Sequence, residues 1–196
     1  MDGSTPIVYV DPGIKTRILF FLEGDGVCIH KTLETSLDTC VTRSLGYWGS
    51  STKWPTFNNF YDYGMLDYSV ATNKFKDWTK VVIMGCDGGG FQGNNVNPVK
   101  HNGSTLYFRG SVNMRAIFKW ANDTFKLNSA QKIVLAGSQA GGVGVYLWID
   151  YLKGLVSDPS KVYAIVDSAI YLSGEDINRL VVKSLSVVDF MFNWDN

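Results

Sequence analysis

The sequence predicts an α/β domain, a three-layer αβα sandwich around a mostly parallel sheet, on three observations. Short apolar runs of strand length alternate with longer segments whose apolar residues return every three or four positions. Two of the runs, residues 80–85 and 132–135, are nearly continuous, as expected for strands buried on both faces. The runs also end in turns rich in Gly or acidic residues: Gly24, Asp25 and Gly26; Cys86 through Gly90; Gly137 through Gly142; Asp167 and Ser168. At the carboxyl ends of parallel strands such turns are where function gathers.

In chain order, residues 7–10 and 17–22 read as strands, rich in β-branched, aliphatic and aromatic residues. Residues 44–76 hold Tyr47, Trp48, Trp54, Phe57, Phe60, Tyr61 and Tyr63 without a clean period, and read as a long packed loop with one short helix. A strand over 80–85 follows. Val112, Ala116 and Trp120, with Ile117 and Ala121, predict a helix over 111–125. The strand 132–135 gives way to a helix, apolar almost all round, that runs through Tyr151. Residues 162–166 read as a further strand and 176–188 as another helix.

Composition narrows the function classes. The chain has 196 residues, 45% hydrophobic and 18% charged, which suits one folded domain. Eighteen basic and eighteen acidic residues cancel, and no Lys/Arg cluster points to nucleic acid. No apolar run is long enough for a transmembrane segment. The first residues, Met1-Asp2-Gly3-Ser4-Thr5-Pro6, lack the basic and apolar regions of a secretory signal, so the protein is either cytosolic or begins after a removed leader. Cys28, Cys40 and Cys86 allow one internal disulfide with one thiol left over, and their spacing fits no zinc pattern. Asn102-Gly103-Ser104 and Asn122-Asp123-Thr124 are glycosylation candidates if the chain is secreted. No cofactor or metal is implied.

Several motifs in register carry a resemblance. Leu22-Glu23-Gly24-Asp25-Gly26-Val27-Cys28 resembles the LEGGGWC turn of the pectin acetylesterase/Notum family, secreted carboxylesterases of the α/β-hydrolase type. The opening Met1 to Pro6 with Val10-Asp11-Pro12-Gly13, the stretch from Trp78 to Gly88, and Leu106-Tyr107-Phe108-Arg109-Gly110 resemble further family segments. The stretch from Ala130 to Gly142 aligns without a gap onto the family's nucleophile turn, and Val166-Asp167-Ser168 fits its D-S/A-G strand end. The resemblance covers most of residues 1–175. It implies a single, partial α/β-hydrolase-like domain over 1–196, a secreted or lumenal location, and a Cys28–Cys40 disulfide.

Ester hydrolysis on this fold needs a serine at the tip of a strained strand-to-helix elbow, a histidine base oriented by a carboxylate, and backbone N–H groups facing the oxyanion. In the gap-free register the family's serine falls on Gln139, whose amide is no nucleophile. Ser138 offers a second register, a loosened G-x-S-x-G, but one position off the tip it is expected to point away from the family's site. Oxyanion-loop positions by resemblance are Gly24, Asp25, Gly26 and Ala140. Asp25 stands where the family has glycine and would oppose a developing negative charge. Val27 replaces the family's tryptophan at the rim of the acyl pocket. The family's catalytic Asp and His correspond to positions beyond Asn196. His30 and His101 precede the elbow and read as surface imidazoles without a role, and Asp87 and Asp167 read as buried turn acceptors.

The expectation is a catalytically silent homologue acting as a structural or interaction subunit, with another protein chain covering the C-terminal sheet edge. The alternatives are an acyl esterase using Ser138 with Asp and His supplied from outside this chain, and a module that still holds a glycan or acyl ligand in the old pocket.

Overall fold

The structure, a computed structural model, describes residues 1–24, 26–58 and 64–169. Its elements in chain order are β1 (Val8–Asp11), β2 (Ile14–Leu22), α1 (Leu33–Leu45), β3 (Trp78–Ile83), β4 (Val99–His101), β5 (Ser104–Leu106), α2 (Gly110–Phe125), β6 (Lys132–Ser138), α3 (Ala140–Gly154) and β7 (Val162–Asp167). The helix expected over 176–188 lies outside the described residues.

Five strands form one sheet in the order β1-β3-β2-β6-β7. All neighbours are parallel except β1, which runs antiparallel to β3 along one edge. The alternation along β2 accounts for the layering. Ile18, Phe20 and Leu22 face α2 and α3, packing with Phe118, Val145 and Trp148. Leu19 and Phe21 face the other way, onto Trp54, Leu66 and Trp78. Every residue of β3 is buried, as its continuous apolar run requires. Lys80 is the exception in kind: its stem lies in the sheet, while Nζ reaches Asp11 Oδ2 at 2.8 Å and the Lys76 carbonyl at 3.0 Å.

Two features differ from the sequence expectation. The helix α1 covers 33–45, a stretch with no predicted element, and it opens with a reciprocal cap between Thr32 and Thr35. Beyond it the aromatic region is not one loop with one helix: short 3₁₀ turns occur at Tyr47–Gly49, Ser51–Lys53 and Gly64–Leu66. The second feature is the β4–β5 hairpin, whose Leu106 packs with Leu37, Cys28 and Cys40 in a separate small core. Smaller shifts are ordinary: β3 starts and ends two residues earlier than predicted, and α3 leaves Tyr146 and Leu147 exposed.

Candidate active site

The order of the sheet places the site. Going along the chain, the strands step from β2 to β3 on one side and then to β6 on the other. The crevice at the carboxyl ends of β2 and β6 is therefore a topological switch point, the position where open α/β sheets bind ligands. Residues from both strand ends meet there.

Gln139 is the single residue between β6 and α3. Its backbone is at φ 51°, ψ −116°, a conformation that non-glycine residues adopt only when surroundings enforce it. Two hydrogen bonds enforce it here: Gln139 N–H donates to the Asp167 carbonyl at 3.0 Å, and its own carbonyl accepts from Val143 at 3.2 Å. The first continues the β6–β7 ladder one step beyond Ser138↔Asp167; the second opens α3. Close packing does the rest. A side chain on Gly141 would strike the Leu22 carbonyl, and one on Gly137 the Gly141 carbonyl, so the first turn of α3 can press against the strand ends. The elbow geometry is thus intact, with Gln139 exposed at its tip and Ala140, buried, at the start of α3.

Gly24 closes the other side. Its Cα lies so near the Ser138 carbonyl and Gln139 Cβ that no side chain would fit. This brings the turn after β2 against the elbow, as an oxyanion loop requires. Asp25 lies outside the described residues. Gly26 has φ 74° with open space around it, and Val27 is partly exposed.

Between these walls is a cavity of about 400 Å³ lined by Phe21, Glu23, Gly24, Trp48, Gly64, Met65, Ser138, Gln139 and Asp167. The volume lies within the range of small-ligand sites. Its lining mixes apolar Phe21, Trp48 and Met65 with polar Ser138, Gln139, Glu23 and Asp167. Trp48, Glu23 and Met65 had no predicted role; Trp48 sits in the aperiodic aromatic region, where sequence patterns carry no position.

Other expected residues fall as follows. Ser138 ends β6, and it is among the residues that line the same cavity as Gln139. Asp87 is a buried turn acceptor, taking N–H bonds from Gly89 (3.0 Å), Gly93 (3.1 Å) and Gly110 (2.6 Å). Asp167 is not buried: it is exposed at the cavity and accepts the Ser168 hydroxyl at 2.8 Å. His101 has a partner after all, Asp38 at 2.7 Å, on the α1 side of the molecule. Cys28 and Cys40 form a disulfide with Cα atoms 5.1 Å apart, and Cys86 is buried outside that bond. Among the described residues no group of three His, Cys, Asp or Glu could hold a metal, and no helix is long and apolar enough to cross a membrane.

An elbow on a mostly parallel sheet, faced by a glycine turn across a ligand-sized cavity, defines a fold of the α/β-hydrolase type. The pectinacetylesterase family matches residues 1–189, and the chain belongs to that family. Pectin acetylesterase 7 of Arabidopsis thaliana is 28% identical over 185 residues, 90% of this chain and 44% of that protein. The palmitoleoyl-protein carboxylesterase NOTUM of Schmidtea mediterranea is 30% identical over 181 residues, 87% of this chain and 32% of its own length. The chain therefore spans less than half the length of these relatives. Among solved structures, the Wnt deacylase Notum from Drosophila superposes with a TM-score of 0.77 at 17% identity, covering 98% of this chain and 56% of that one, a likeness of fold.

Proposed function

We propose that this chain is a pectinacetylesterase-family protein whose elbow cavity holds a ligand without cleaving it, serving as a binding or interaction subunit in a secreted or lumenal setting. The observation that carries the reading is Gln139 at φ 51°, ψ −116° on the elbow tip. That backbone presents a side chain to the cavity at a helix N-terminus, and the group presented is a carboxamide. Its nitrogen lone pair is delocalised into the carbonyl, so no nearby base makes it an acyl acceptor. The cavity itself supports retained binding, since its mixed aromatic and polar lining suits a ligand that carries both apolar and hydroxyl or carbonyl groups. The Cys28–Cys40 disulfide fits an oxidising compartment. A protein partner along the sheet edge completes the proposal.

The purified protein is expected to give no hydrolysis of p-nitrophenyl acetate above a heat-inactivated control, and no labelling by a fluorophosphonate probe. Pectin-derived oligosaccharides and acylated peptides should nevertheless protect the elbow in hydrogen exchange. A second reading, an acyl esterase using Ser138, is favoured by one observation: Ser138 lines the cavity beside Gln139. Probe labelling that disappears in Ser138→Ala would establish that reading and end the first.

A further inference from the structure

A second cavity lies where the turn after β3 meets the start of α2. It measures about 340 Å³ and shares no lining residue with the elbow cavity. Its lining combines residues 3–6 with Asp87, Tyr107, Arg109 and Asn113. Gly3, at φ 93°, lies so close to the Tyr107 ring that a side chain there would strike it. Arg109 is the one cationic side chain among the described residues of that lining, and its five N–H donors are under-used. Nη1 donates to the Val96 carbonyl at 3.5 Å, Nε is buried without an acceptor, and no acid pairs with it among the described residues. A half-buried guanidinium in that state is stabilised by an anion. Asp87 lines the cavity too, but its carboxylate is taken up by the N–H groups of Gly89, Gly93 and Gly110. The start of α2 is not itself the attraction, because the N–H groups of Gly110 and Ser111 are spent on Asp87 at 2.6 Å and the Gly93 carbonyl at 2.9 Å.

We infer that this cavity is a second binding site, for a small hydroxylated carboxylate, with Arg109 holding the carboxylate group. The planar guanidinium fork matches the two oxygens of a carboxylate. Charge favours a monoanion over sulfate or phosphate: one guanidinium balances one negative charge, and the Asp87 carboxylate in the same lining opposes a second. Asp2 is exposed and outside the lining, its Oδ1 accepting from the Ser4 N–H at 2.9 Å and the Ser4 hydroxyl at 2.6 Å. Tyr107 and Asn113, both half-buried, supply a phenol and a carboxamide for ligand hydroxyls. The Asn113 amide contacts Cys86 Sγ at 3.9 Å, a weak acceptor that a ligand oxygen would displace. The volume stands at the small end of ligand sites and suits a six-carbon acid. Because the two cavities have no residue in common, the inference holds whether the elbow is silent or reactive.

The test is a backbone-amide NMR titration of the full chain with D-gluconate and, separately, with D-sorbitol, which has the same hydroxylated skeleton without the carboxylate. Gluconate should shift the amides of Tyr107, Gly110 and Asn113, leave those of Gly137, Gln139 and Ala140 in place, and bind about tenfold more tightly than sorbitol. Sulfate should bind more weakly than gluconate. Arg109→Gln, which removes the charge but keeps hydrogen-bonding groups, should bring gluconate down to the sorbitol level. The Arg109 side chain makes no capping bond to α2, so the helix does not depend on it. Should that variant fail to fold, the comparison of gluconate with sorbitol on the wild type decides alone. Equal binding of the two, sulfate as the tighter ligand, shifts confined to the elbow, or gluconate binding undiminished in Arg109→Gln would each overturn the inference.

Discussion

After β3 the chain turns through Asp87, and after β6 it turns through Gln139; both turns are glycine-rich and both end parallel strands. The Asp87 carboxylate is consumed by three backbone donors within its own fold and is 2% exposed. Gln139 is exposed, and its backbone is held in a sparsely populated conformation with the side chain free to meet a ligand. A polar residue in a strand-end turn is therefore no sign of chemistry by itself. What separates scaffold from site is whether the polar group is already satisfied and whether the backbone is strained to present it.

The largest expected effect falls on the satisfied turn. Asp87→Ala leaves three buried N–H groups without an acceptor, and each orphan costs roughly 1–3 kcal/mol, so the loss should be about 4 kcal/mol. Asp87→Asn, which keeps one acceptor oxygen, should lose about half of that. Urea midpoints at unchanged slope measure both. A midpoint that hardly moves for Asp87→Ala would mean the turn is held by something else, and the comparison would lose one side.

Next comes the disulfide, which bears on both turns. Cys28 ends the Gly24 turn, is bonded to Cys40 on α1, and donates its N–H to the Gly88 carbonyl at 2.9 Å. The bond spans a sequence separation of 12, for which closing the loop is worth about 3 kcal/mol. Cys40→Ser with Cys28→Ser should lower stability by that order. Hydrogen exchange should quicken first around Gly26 and Cys28, ahead of the β6–α3 elbow. Uniform exchange across both would argue that the elbow depends on the tether.

Most of this was readable beforehand, and the failures have causes. The parallel sheet followed from runs such as 80–85, where burial on both faces leaves only an apolar sequence. The glycine-rich turn after 132–135 was plain from Gly137, Gly141 and Gly142, and the resemblance to the family is what placed an elbow there. The helix α1 has apolar residues at Leu33, Leu37, Cys40 and Val41, a helical spacing, but Thr32, Thr35, Ser36, Thr39, Thr42 and Ser44 dilute it with weak helix formers. Asn102-Gly103, read as a sequon, predicts no hairpin; read between Val99 and Leu106, it is a strong hairpin signal. Trp48 in the cavity wall could not be placed, because aperiodic loops take their positions from tertiary packing alone.

The smallest predicted effect is the one that separates the two turns most cleanly, because it has the opposite sign. Holding a non-glycine residue in a sparsely populated backbone region costs on the order of 1–3 kcal/mol. Glycine adopts positive φ without that penalty but loses more chain entropy on folding, about 0.5–1 kcal/mol. Gln139 is exposed, so its side chain contributes little packing to offset the strain. Gln139→Gly should therefore stabilise the protein by about 1 kcal/mol, while Gln139→Ser, which keeps a Cβ, should be close to neutral. A matched urea series on the two variants resolves the difference. If Gln139→Gly destabilises instead, the carboxamide is making contacts that hold the elbow, and Gln139 belongs with Asp87 as scaffold rather than with the site.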